Sequence, residues 1–163
     1  MNRAQKIIQG LLLLFVLMIL ASMLFPIFAR NRNKAHDPSC LHNQREIGIT
    51  MMLYAQDHDG HLPAASTVWH DVYLPSDALM CPAAGDAPIS YGYSLYLSDR
   101  ALGKLADPLG TPLCADSDNP QHLLVIPSDF APRHGEGHCI VTFTDGHAKY
   151  CAIADLRLQP KLK

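Results

Sequence analysis

From Ile7 to Phe28 the chain carries no charged residue, and only Gln9, Gly10, Ser22 and Pro26 interrupt an otherwise apolar run. A stretch of that length reaches about 33 Å as a helix, against a bilayer core of about 30 Å. It is therefore expected to be a transmembrane helix, preceded by a short leader over 1–6. A cleaved signal peptide is the competing reading, but it calls for a shorter apolar core and a small-x-small site. The run instead closes on Met23-Leu24-Phe25-Pro26-Ile27-Phe28-Ala29-Arg30.

Charge does not orient such a segment. Arg3 and Lys6 precede it, while Arg30, Arg32 and Lys34 follow it, so the positive-inside rule is balanced. The five cysteines (Cys40, Cys81, Cys114, Cys139 and Cys151) show no zinc-type CxxC or Cys/His spacing and suit an oxidising compartment. They point to a single-pass protein of the inner (cytoplasmic) membrane with its head in the periplasm or outside the cell. The net charge of −2 and the lack of a basic tract beyond the flank leave no footprint for nucleic acid.

Beyond the run, Asp37 suits a helix cap and Pro38 a first turn. Cys40/Leu41, Ile47/Gly48, Met51/Met52 and Tyr54/Ala55 then fall on one stripe, with His42, Asn43, Arg45 and Glu46 turned away. This continuation occupies 29–60 and ends at Asp57-His58-Asp59-Gly60. After Pro63, prolines recur at short intervals and leave room for strands and loops, so 61–163 reads as a small α+β head. Leu123 to Ile126 reads as a short buried strand. Asp145-Gly146 is a two-residue turn signal between Ile140–Thr144 and His147–Cys151, a hairpin over 140–151. The fold class expected is α+β: a long N-terminal helix, transmembrane in its first half, its second half laid on a small antiparallel sheet.

Several segments, in this order, resemble type IV pilin-like proteins and type II secretion pseudopilins. They are Leu24–Arg30 with Lys34-Ala35, Ser39-Cys40-Leu41 with Asn43 and Ile47-Gly48, and Tyr54–Asp57 with Asp59-Gly60 and Leu62-Pro63. Cys81-Pro82, Ser90–Tyr93, Ala115-Asp116-Ser117 and Arg133-His134 through Asp145-Gly146-His147 continue the likeness. The group is marked by a prepilin-type helix and a C-terminal His-x9-Asp-Gly motif. The resemblance implies a structural subunit or accessory of a pilus or secretion filament, not an enzyme. Its partners would be the membrane and copies of itself or other pilin-like subunits. It also implies a Cys40–Cys81 disulfide; the residues alone allow two buried free thiols. The family's processing stretch, a Gly or Ala followed by Phe-Thr-Leu-Ile-Glu, falls on Ala4, Gln5, Lys6, Ile7, Ile8 and Gln9. The phenylalanine is missing and Gln9 replaces the glutamate. Ten residues, not nine, separate His134 from Asp145, which calls for one bulged or looped residue.

Among candidate chemistries, His134, Asp145 and His147, joined by Asp116 or His138, supply ligand types for a divalent transition metal. Turn and capping roles are the plainer reading, and no cofactor is required. An alternative function is an unassembled membrane-tethered, extracytoplasmic module that binds a metal or ligand there. Asp57-His58-Asp59-Gly60 starts like a calcium loop but has Val68 where the twelfth-position Glu should stand. Ser90, Ser117 and Ser128 lack a nucleophile-elbow context. Tyr91, Tyr93, Tyr96 and Trp69 suit core packing better than a carbohydrate or partner surface. With a two-residue turn, Ile140 would face Cys151, which puts Cys139 and Cys151 on opposite sheet faces; Cys114 would be free to pair with either.

Overall fold

The computed structural model describes residues 2–34, 37–85 and 87–163; the side chains of residues 3, 6 and 23–34 are outside that description. Two compact units result, Met1–Ala35 and His36–Lys163. The first is helix α1, Arg3–Lys34. Its twelve large apolar side chains from Ile7 to Leu20 are between 46% and 66% exposed.

Two expectations are corrected here. Among the described residues no helix is long and apolar enough to cross a membrane. The apolar stretch whose side chains are described, residues 7–22, would reach about 24 Å, short of a core of about 30 Å. The transmembrane reading of 7–28 and the single-pass inner-membrane localisation drawn from it are therefore overturned. Continuity of the helix through 29–60 rests on residues 35 and 36, which lie outside the described residues.

The second unit opens with α2, Asp37–Asp57. Cys40, Gln44, Ile47, Gly48, Met51 and Ala55 form its buried face, at spacings of three and four residues. Gln44 fills the gap in the apolar stripe. The Thr142 hydroxyl lies 2.7 Å from its backbone oxygen and 2.6 Å from its Oε1. The helix stops at Asp57, and Gly60, at φ +79°, donates its N–H to the Ala55 carbonyl at 2.7 Å, a left-handed closure. A short helix α3, Val68–Asp71, follows.

The sheet brings a further correction: it is mixed, not antiparallel. Its strands are β1 (Tyr91–Ser94), β2 (Pro112–Asp116), β3 (Leu123–Leu124), β4 (His138–Phe143) and β5 (Ala148–Ala152), in the order β3-β1-β2-β4-β5. β1 pairs antiparallel with β2 but parallel with β3, through Tyr93↔Leu123 and Ser94↔Leu124. The turn Asn119–His122, closed by an N–H···O bond of 2.9 Å, brings the chain back along the free edge of β1. Hydrogen bonds from Tyr93 N–H (2.9 Å) and the Trp69 indole (3.3 Å) to the His122 carbonyl hold it there.

One core lies between α2 and the sheet, around Ile47, Met51, Leu62, Tyr91, Tyr93, Leu113 and Ile140. A second covers the other face with Leu124, Phe130, Cys139, Val141, Phe143 and Leu158. All four residues of β1 are consequently buried.

The hairpin also departs from the sequence reading. Phe143 N–H donates to the His147 carbonyl at 2.9 Å, so the loop is Thr144-Asp145-Gly146, one residue longer than expected. Pairing becomes Cys139↔Cys151, Ile140↔Tyr150 and Thr142↔Ala148. Cys139 and Cys151 therefore stand side by side on the second core's face, and Cys114, opposite Thr142 and Tyr93, lies in the first core.

Candidate functional site

Four segments meet where α2 begins. Asp37 and Cys40 come from its first turns, and Cys81 from the loop before Pro82. Asp116 ends β2, and His134 stands in the loop that leads into β4. Asp116 pairs across β1–β2 with Tyr91 of the first core, so the Asp116 carboxylate faces the helix side. It is wholly buried and accepts the Ile140 N–H at 2.7 Å through Oδ2. A carboxylate at an inward strand position demands partners, because an unpaired buried charge is costly.

His134 is that partner. Its ring is fully buried; Nε2 lies 3.3 Å from Asp116 Oδ2 and Nδ1 lies 2.7 Å from Asp37 Oδ1. Burial by itself lowers the imidazole pKa, but the hydrogen bonds and charges of Asp116 and Asp37 outweigh it and lift the pKa above the ordinary value. Two glycines at positive φ, Gly135 (+111°) and Gly137 (+67°), let the loop turn so that His134 N–H reaches the His138 carbonyl at 3.3 Å. Next to it, the Arg133 guanidinium donates to the carbonyls of Ser90 (2.6 Å) and Ser117 (2.9 Å) and pairs with Asp118. Tyr150 meets the imidazole edge-on at 6.1 Å.

Cys40 and Cys81 complete the cluster. They are disulfide-bonded, with Cα atoms 5.1 Å apart, the pairing that the pilin resemblance implied. Closing their loop is worth about 4 kcal/mol on chain-entropy grounds. The Cys81 Sγ lies 3.7 Å from His134 Nε2. Among the described residues, Cys40, Cys81 and His134 form a group whose ligand atoms all lie within 4.8 Å of one another.

The metal set expected from sequence, His134 with Asp145 and His147, is not assembled in that group. Asp145 and His147 pair with each other at the hairpin turn, Nδ1 to Oδ1 at 2.5 Å, and the His147 ring stacks on Phe143. His138, the other candidate, points its Nδ1 at the Glu136 carbonyl, 2.7 Å away. At the processing stretch, Ala4, Gln5 and Gln9 are exposed. His58 stacks on Tyr54 at 3.8 Å, giving the Asp57–Gly60 segment a helix-end role.

Two site residues escaped the sequence reading. Asp37 was assigned to capping, and its carboxylate instead holds His134. Asp116 was treated as an accessory, although the two-residue period that places Cys114 on the core face places Asp116 there too. That parity was the available signal.

Neither protein-family models, nor curated proteins, nor solved structures contain a match to this chain. The site therefore has to be read from its own chemistry.

Proposed function

We propose that the chain is a pilin-like structural subunit, in which α1 packs against the α1 helices of other copies and the head decorates the resulting filament. The observation that carries this reading is the apolar surface of α1. A helix apolar all round is normally covered, and the large apolar side chains of α1 from Ile7 to Leu20 are exposed. Burying a large apolar side chain stabilises by about 1.5–3 kcal/mol. For the twelve exposed between Ile7 and Leu20, the total is on the order of 20 kcal/mol. Like helices are suitable occupants, because no charge interrupts the surface. Gly10, with no atom near its missing Cβ, permits close approach. Ser22 satisfies its own hydroxyl on the Ile19 carbonyl at 2.7 Å. Gln9 lacks the acid that would pair with a neighbour's terminal amine, so association rests on packing.

The test is electron microscopy and sedimentation of the full-length chain isolated from its host, beside Leu13→Asp/Leu17→Asp. Regular filaments that the paired substitution disperses are expected. A small monodisperse species from the unaltered chain, or filaments indifferent to two charges in α1, would sink the proposal.

A further inference from the structure

The Cys40–Cys81 bridge reads as one state of a site with a second use. We infer that, when this disulfide is reduced, Cys40, Cys81 and His134 bind a zinc-class divalent cation, with Asp116 beside them. This site is separate from the α1 surface on which the filament reading rests.

Geometry comes first. In a tetrahedral zinc site, bonds of about 2.0–2.3 Å put neighbouring ligand atoms about 3.3–3.8 Å apart. Here Cys81 Sγ and His134 Nε2 are 3.7 Å apart, Nε2 and Asp116 Oδ2 are 3.3 Å apart, and both sulfurs and Nε2 fall within 4.8 Å. Once the S–S bond opens, the sulfurs need only separate to ordinary ligand spacing.

The surroundings also match. A metal-bound histidine is usually held through its other nitrogen by a carboxylate, which fixes tautomer and ring angle. Asp37 Oδ1 already sits 2.7 Å from Nδ1, leaving Nε2 aimed at the sulfurs. Asp116 Oδ1 is buried with no hydrogen-bond partner among the described residues, so this carboxylate holds unused acceptor capacity beside the cluster. Such a buried atom is costly unless something claims it. Two thiolates and one imidazole select zinc-like ions over magnesium or calcium.

The chemistry balances. Two equivalents of a low-molecular-weight thiol donate two electrons, the Cys40–Cys81 bond breaks to two cysteine thiols, and the reductant leaves as its own disulfide. Binding the cation releases both thiol protons, and the proton that His134 Nε2 shares with Asp116, to solvent. His134 ligates through an unprotonated Nε2 while Nδ1–H stays on Asp37. Either state ties the first turns of α2 to the loop before Pro82, so the cation replaces the covalent staple under reducing conditions.

The test uses the full-length chain, stripped with chelator and reduced with a phosphine, titrated with Co²⁺ and then Zn²⁺. One Co²⁺ per chain with a thiolate-to-cobalt charge-transfer band is expected, and Zn²⁺ should abolish the band. The oxidised chain should show no such band. Asp37→Asn, which leaves every ligand in place, should weaken Co²⁺ binding 10–100-fold, and His134→Gln more. A reduced chain without the band, or affinity that ignores both variants, would overturn the assignment. If reduction unfolds the head, Zn²⁺ must restore its far-ultraviolet circular dichroism, and failure to do so overturns it equally.

Discussion

At Gly48 α2 comes close to the β4–β5 hairpin, and Gly48→Ala measures how tight that contact is. A Cβ built there lies 2.7 Å from the Gly146 carbonyl oxygen and 2.7 Å from Thr142 Cγ2, well inside the 3.4 Å where ordinary contact begins. One obstacle is backbone at the hairpin turn, where Gly146 has φ +89°, so it cannot swing aside as a side chain would. Replacing an interior helix glycine by alanine gains about 1 kcal/mol of helix propensity. Forcing a methyl into a packed interface costs about 1–3 kcal/mol. With two contacts violated at once, the upper end of that cost applies, and the net expectation is about 2 kcal/mol of destabilisation. In urea, with m near 1–3 kcal/mol/M, the midpoint should fall by roughly 1 M. Thr142→Ser removes the obstructing methyl and keeps the hydroxyl bonded to Gln44, so Gly48→Ala/Thr142→Ser should cost less than the two single changes added together. Gly103→Ala, where the new Cβ meets nothing within 4 Å, is the control and should be neutral or slightly stabilising. A Gly48→Ala midpoint at or above that of the unaltered chain would refute the close-approach argument.

Two further outcomes test the head. Burial pushes up the pKa of Asp129, but N–H bonds from Ile126 (2.9 Å), Asn119 (2.9 Å) and Val125 (2.7 Å) prevail and hold it below the ordinary carboxylate value. Its contribution is therefore present above the unfolded pKa of about 3.9 and is lost as pH falls through the folded value. Asp129→Asn should cost about 1–3 kcal/mol near pH 7, with the gap narrowing below about pH 4 in denaturant titrations. A gap of constant size across that range would be inconsistent with this. Among the unbridged cysteines, Cys151 is partly exposed, whereas Cys114 and Cys139 are fully buried with thiol pKa values raised mainly by burial. Iodoacetamide on the folded, oxidised chain should add one group, at Cys151, and denaturant should expose the other two to mass spectrometry. Simultaneous labelling of all three would contradict the packing described.

What the sequence by itself determined is local and periodic. The apolar run from Ile7 marks α1, and residues at spacings of three and four mark the buried face of α2. Asp145-Gly146 marks the turn between β4 and β5. These follow from chirality and side-chain period, which act within a few residues.

Tertiary structure decided the rest. Hairpin register depended on Thr144, whose N–H donates to the Thr111 carbonyl (3.1 Å) and whose hydroxyl donates to the Pro108 carbonyl (3.0 Å). Those bonds draw Thr144 into the loop, and a slip of one residue moves every following side chain to the other sheet face. That is why Cys139 and Cys151 became neighbours. The site depended on longer reach still: Asp37 and His134 are 97 positions apart, and each has an ordinary local reading, as a cap or a loop residue. Only burial against β2 made them partners, because the Asp116 carboxylate, removed from water, had to find its hydrogen bonds within the protein.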